Sequence, residues 1–157
     1  MSIEDDIAFL ERVPTLRVLG RDALRILAIG AENRYVHEGV ALFRESEAAD
    51  SAYVVQEGSF ELTSDGNGPT RPEVAGPGTL VGELALLTET QRSVTATARE
   101  PATVIRIPRQ LFLKMLEGYP DAARRLREAL AARVNEGARE LAKVRGVLDG
   151  GGTPPQG

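Results

Sequence analysis

The sequence predicts an α+β, mainly β domain, with helices at both ends and a β-rich body resembling a barrel, sandwich or jelly roll. Three observations predict it. Apolar residues recur at helical spacing before residue 30 and again after Pro108. Between Arg34 and Pro108 the chain breaks into short Val-, Thr- and Tyr-bearing runs. Turn residues separate those runs: Gly39, Gly58, the segment from Ser64 to Pro69, and Gly76 to Gly78. Strands this short and this closely spaced build closed or double-layered sheets.

The first helix is expected over residues 3–13, where Ile3, Ile7, Leu10 and Val13 share a face. Ser2 is placed to cap it and Pro14 to end it. A second helix is expected from Arg21 to Ile29, stopped by Gly30. The strand candidates are RYVH, VALF, SAYVVQ, SFELTS, PEVA, SVTATA and ATVIRI. After Pro108 a short helix is expected from Arg109 to Glu117, and a long one from about Asp121 to Leu148. Along the long helix Leu130, Val134, Gly137, Leu141, Val144 and Leu148 step by four and three, a heptad seam suited to a homodimer. A helix over that range would span roughly 42 Å, more than one small domain can cover. Residues 1–148 are thus expected to form one domain. Residues 149–157, rich in Gly and Pro, read as a flexible tail.

Composition narrows the function. The 157 residues carry a formal net charge of −4, against general nucleic-acid binding. Arg124, Arg125, Arg127, Arg133 and Arg139 alternate with Glu128, Glu136 and Glu140, the pattern of a solvated helix face and not of a DNA surface. There is no cysteine, so disulfide and thiolate chemistry are excluded. The single histidine, His37, cannot supply the several ligands of a metalloenzyme on a cupin-like roll. No apolar run approaches the roughly 20 residues of a membrane span. The acidic, amphipathic N-terminus is unlike a signal peptide, so a cytoplasmic protein is expected.

One segment looks built to hold a charged small molecule. From Val81 to Ala98 a Gly-Glu turn opens a short apolar helix, and an Arg-Ser pair precedes a β-like run. Backbone N–H groups at a helix start and one guanidinium can converge on an anion. An arginine on a strand surface, paired with Glu89, is the plainer reading of Arg92.

Three strings in order, VHEGVALFRESEAADSAYVVQEGSFEL, GPGTLVGELALL and QRSVTATA, resemble the cyclic nucleotide-binding domain. The resemblance extends over residues 7–135. It implies an eight-stranded β-roll with helices before it and two helices after it, and cAMP or cGMP as ligand. By motif position, Arg92 would pair with the cyclic phosphate and Ser93 would add a contact. Glu83 would accept from the ribose 2′-hydroxyl, and Gly82 would let the chain approach the sugar. The backbone amides of Leu84 and Ala85 would face the phosphate. Ser46, Val81 and Gln91 depart from the family pattern, where Gly, Phe and Pro are usual.

The function this implies is a non-catalytic cyclic nucleotide sensor that dimerises through Leu130–Leu148 and signals to an effector protein. The helix-turn-helix, channel or tandem domains that accompany such domains elsewhere are not in the sequence, which reads as a stand-alone sensor module or a fragment of something longer. The alternative is a dimerisation or scaffold module on the same fold that has lost nucleotide binding.

Overall fold

The computed structural model describes residues 2–65 and 73–132. The chain starts with three helices: α1 Ile3–Leu10, α2 Pro14–Arg17 and α3 Arg21–Gly30. Ser2 caps α1 in a reciprocal box with Asp5, as its sequence position suggests. Pro14 does not end that helix. α1 stops at Leu10, and Pro14 opens α2, where the missing N–H costs nothing. Gly30 is the last residue of α3 and has no left-handed backbone. Its smallness serves packing: a Cβ there would stand 2.6 Å from the Leu111 side chain.

Ten strand segments follow among the described residues. They are β1 Glu32–Val36, β2 Ala41–Phe43, β3 Ala48–Ala49, β4 Ser51–Glu57, β5 Phe60–Thr63, β6 Glu73–Ala75, β7 Leu80–Val81, β8 Thr90–Gln91, β9 Thr95–Ala98 and β10 Ala102–Pro108. All pairs are antiparallel. Two four-stranded sheets, ordered β1-β10-β4-β7 and β2-β9-β5-β6, are joined by the small β3-β8 pair. This is the expected β-roll with flanking helices. Helix α4, Arg109–Gly118, leads into α5, whose described part is residues 120–132. The heptad positions from Val134 to Leu148 and the tail 149–157 lie outside the described residues.

The alternation of side chains along a strand explains the two cores. On β4, Ala52 and Val54 face the helices, while Tyr53 and Val55 face the inside of the roll. The strand is therefore buried on both faces, and reads as an unbroken apolar run. The helical core gathers Ile7, Leu10, Leu16, Leu24, Leu27 and Phe112 on that sheet. The roll core gathers Phe43, Val55, Phe60, Ala96 and Val104. From α5, Ala122 and Leu126 enter the helical core.

The turn between β2 and β3 carries the one non-glycine residue with positive φ among the described residues, Ser46 at φ 75°. The left-handed turn is kept without glycine because its neighbours fix it. The Ser46 N–H donates to the Arg92 carbonyl at 2.8 Å, and the Arg92 N–H donates to the Glu47 carbonyl at 2.8 Å. Left-handed backbone costs a non-glycine residue about 1–2 kcal/mol. Glycine's greater freedom in the unfolded chain offsets part of that. Ser46→Gly is therefore expected to raise unfolding free energy by about 0.5–1 kcal/mol, measured by urea denaturation.

Candidate functional site

Val81 to Ser93 forms one wall between the two cores. Gly82 has φ 77° and ψ 33°, and starts a four-residue 3₁₀ turn, Glu83–Leu86. Only glycine suits this point twice over. The backbone is left-handed, and a Cβ would stand 2.5 Å from Nη1 of Arg92. The helix expected after Gly82 is thus a single tight turn. Its Ala85 N–H already donates to the Gly82 carbonyl at 3.1 Å. Ala85 and Leu86 point into the protein, while the Leu84 side chain is 59% exposed.

Arg92 is not a surface arginine. It is 6% exposed, and its guanidinium lies over the Phe43 ring at 4.3 Å and near Tyr53 at 5.6 Å. Nη2 stands 3.4 Å from the Ser51 hydroxyl. Nη1 is buried and has no hydrogen-bond partner among the described residues. Burial pulls the guanidinium below the usual arginine value, against the opposing pull of Tyr53, Asp50 and Glu47. An arginine stays protonated in a protein all the same, so a full positive charge sits here. The aromatic faces recover part of its solvation, and an anion would recover far more.

Asp50, immediately before β4, helps set the field at Arg92. Burial works to raise its carboxyl, but a hydrogen bond with Ser51 and the Arg106 charge hold it below the ordinary value. Arg106 bridges Asp50 at 3.3 Å and Glu32 at 3.5 Å.

Two cavities meet at this wall. The smaller, about 140 Å³, holds Arg92 with Phe43, Ala49, Leu84 and Ala85. The larger, about 800 Å³, is bounded by Val13–Thr15, by Leu62 and Glu73, by residues 78–83, and by Leu126, Ala129 and Leu130. Val81, Gly82, Ser93 and Val94 line both. That size is within the roughly 300–1,000 Å³ of small-molecule sites. Exposed Ser93 lines both cavities, Glu83 only the larger and Arg92 only the smaller.

Three further residues escape sequence reasoning. Thr15 donates its hydroxyl to Glu83 at 3.3 Å, bringing α2 onto the turn. Arg125, expected on a solvated face, reaches back to the carbonyls of Val18 at 2.8 Å and Leu19 at 2.7 Å. Arg109 is the most telling. Its Nη1 lies 3.0 Å from the Ala49 carbonyl, 3.2 Å from that of Ala85 and 3.0 Å from that of Thr88. It ties the first residue of α4 to the end of the 3₁₀ turn. A signal was available: a basic residue at a helix start opposes the helix dipole, and α4 has no acidic residue in its first turn. His37, by contrast, is exposed and stands edge-on to Tyr35 at 4.6 Å.

The family model described as the cyclic nucleotide-binding domain matches residues 33–119. The chain belongs to the cyclic nucleotide-binding domain family. The domain is 32% identical over 108 residues to the cAMP-dependent protein kinase regulatory subunit of Yarrowia lipolytica, a match over 69% of this chain and 28% of that protein. It is 28% identical over 119 residues to lysophospholipase NTE1 of Chaetomium globosum, 74% of this chain but 8% of that enzyme. The chain therefore spans a small part of these curated relatives. Among solved structures, a cyclic nucleotide-binding-like protein from Brucella abortus superposes with a TM-score of 0.64 at 38% identity, covering 72% of this chain and 98% of that one. No helix among the described residues is long and apolar enough to cross a membrane.

Two substitutions test how the wall is held. Gly82→Ala strains the left-handed backbone and displaces Arg92, and is expected to destabilise the domain by about 1–2 kcal/mol in urea titration. Arg109→Ala leaves three carbonyls without their shared donor, and about 2 kcal/mol is the expected loss. Its particular signature is faster amide hydrogen exchange at residues 83–88, with the β4–β10 ladder unchanged.

Proposed function

We propose that this chain is a non-catalytic regulatory module that binds a cyclic nucleotide, cAMP or cGMP, with the cyclic phosphate on Arg92. The observation that carries the reading is the buried, positively charged Arg92, whose Nη1 has no hydrogen-bond partner among the described residues and which lines the smaller of two cavities that share Val81, Gly82, Ser93 and Val94. A cyclic phosphodiester bears one negative charge, and its oxygens suit the planar guanidinium. In this reading Ser93 adds a second donor, and the Leu84 and Ala85 end of the turn faces the phosphate. The Ala85 N–H then exchanges or shares its bond to Gly82. Glu83, beside an anion, contributes as an acceptor for a ribose hydroxyl, and Gly82 allows the close approach. The family and its cAMP-linked kinase relative support the ligand class.

The larger cavity takes the nucleoside. Its walls include Val13–Thr15 from the first helices and Leu126–Leu130 from the last, so the ligand touches both ends of the domain. Binding then acts by favouring one arrangement of those helices. The output passes through α5 toward the heptad positions that the sequence carries up to Leu148. We place a homodimer seam there, with an effector protein as its reader, in the cytoplasm.

Isothermal titration of nucleotide-free protein with cAMP and cGMP tests the reading. Micromolar affinity, about −8 kcal/mol, is expected for at least one of them. Arg92→Ala is expected to cost about 2–5 kcal/mol of binding, as in truncating one partner of a buried charge pair. A folded Arg92→Ala protein that binds as tightly as wild type overturns the phosphate assignment. No heat from either nucleotide with wild type points to the scaffold reading.

A further inference from the structure

The cavity has a second feature that the phosphate site leaves unused, a carboxylate on the inner face of the roll. Side chains alternate across a strand, so Glu73 shares its face of β6 with Ala75. Ala75 is 2% exposed and belongs to the roll core, which makes that face the inner one. Val74, between them, is 53% exposed on the outside. The pattern is thus inverted at this point, with the apolar residue out and the acid in. Across the ladder Glu73 is paired with Leu62, and both line the larger cavity. Glu73 has no ion-pair or side-chain hydrogen-bond partner among the described residues. The other cavity carboxylate, Glu83, is already engaged by Thr15.

We infer that Glu73 reads the purine base and selects guanine over adenine, an inference that rests on the nucleotide reading above. The ligand carries its negative charge at the phosphate, and the site separates charge to match. Arg92 lines the smaller cavity and not the larger, while Glu73 lines the larger and not the smaller. A carboxylate only accepts hydrogen bonds. Guanine presents two adjacent donors, N1–H and the N2 amine, which one carboxylate can take in parallel, each bond strengthened by its charge. Adenine presents one donor, the N6 amine, beside the N1 lone pair, which a carboxylate repels. The surrounding Leu62, Leu126 and Leu130 supply apolar contact to either base and do not discriminate.

Binding of cGMP, cAMP and cyclic inosine monophosphate to the full chain, wild type and Glu73→Gln, tests this. Wild type is expected to prefer cGMP over cAMP about tenfold, as expected of one paired base contact. The inosine analogue, which keeps N1–H and lacks the N2 amine, should fall between them. A glutamine amide can both donate to N1 and accept from N6 of adenine. Glu73→Gln is therefore expected to weaken cGMP about tenfold and to hold or improve cAMP. Because Glu73 is exposed to the open cavity, the variant should melt as wild type does. Wild type that prefers cAMP, or a cGMP-to-cAMP ratio unchanged in Glu73→Gln, overturns the role of Glu73 while leaving the Arg92 site intact. Failure of every nucleotide to bind wild type overturns the phosphate site, and this inference with it.

Discussion

A charged guanidinium held inside the protein with no ion pair among the described residues is the constraint around which this domain is arranged. Burying an unpaired charge is costly enough that the surroundings must compensate for it. Here the compensation is partial: two aromatic rings, one long contact to a hydroxyl, and distant carboxylates. The backbone of Arg92 is gripped on both sides by Ser46 and Glu47. The strained Ser46 turn and the left-handed Gly82 are both consequences. The first fixes where the arginine starts, and the second clears the space where it ends.

The same chemistry recurs in a different role at Arg109 and Arg125. Each spends its donors on backbone carbonyls from segments distant in sequence. Arg109 ties α4 to the 3₁₀ turn, and Arg125 ties α5 to the turn between α2 and α3. Carbonyl groups at chain turns have no ladder partner, and an arginine fork satisfies several at once. The outcome is a mechanical chain. The 3₁₀ turn is linked to α4, α4 leads directly into α5, and α5 is pinned to the N-terminal helices. Thr15 closes the loop by reaching from α2 to Glu83.

Legibility in the sequence followed the length of the pattern. The longer strands were readable because four to seven residues establish a period of two, as along β4 and β10. β3, β7 and β8 have two residues each, too few to show any period, and exist because neighbouring strands supply their ladders. Gly30 looked like a helix stop, while its real reason is the side chain of Leu111, brought close only by the tertiary fold. Within the site, the identities of Gly82, Glu83, Arg92 and Ser93 were legible because they fall in one contiguous motif. The burial of Arg92 was not, since it depends on Phe43 and Tyr53 from other strands. Thr15 and Arg109 were missed for the same reason. Each bonds to residues far away in sequence, and only the fold brings them together.

The placement of the cavity decides what kind of device the domain can be. A pocket wholly inside the roll would be walled by ladders that cannot move independently. This one lies between the roll and the helices, with Val13–Thr15 on one side and Leu126–Leu130 on another. Those segments are joined to the roll by side-chain packing and a few hydrogen bonds, not by a continuous ladder. They therefore offer the least resistance to whatever fills the cavity. An occupant that neutralises Arg92 and touches Leu126 and Leu130 has different contact energy in each helix arrangement. Such a difference is the only means by which a ligand can shift an equilibrium. In the proposed reading the unsatisfied charge would supply the driving force and the helices the displacement, with the 3₁₀ turn held by Arg109 as the connection between them.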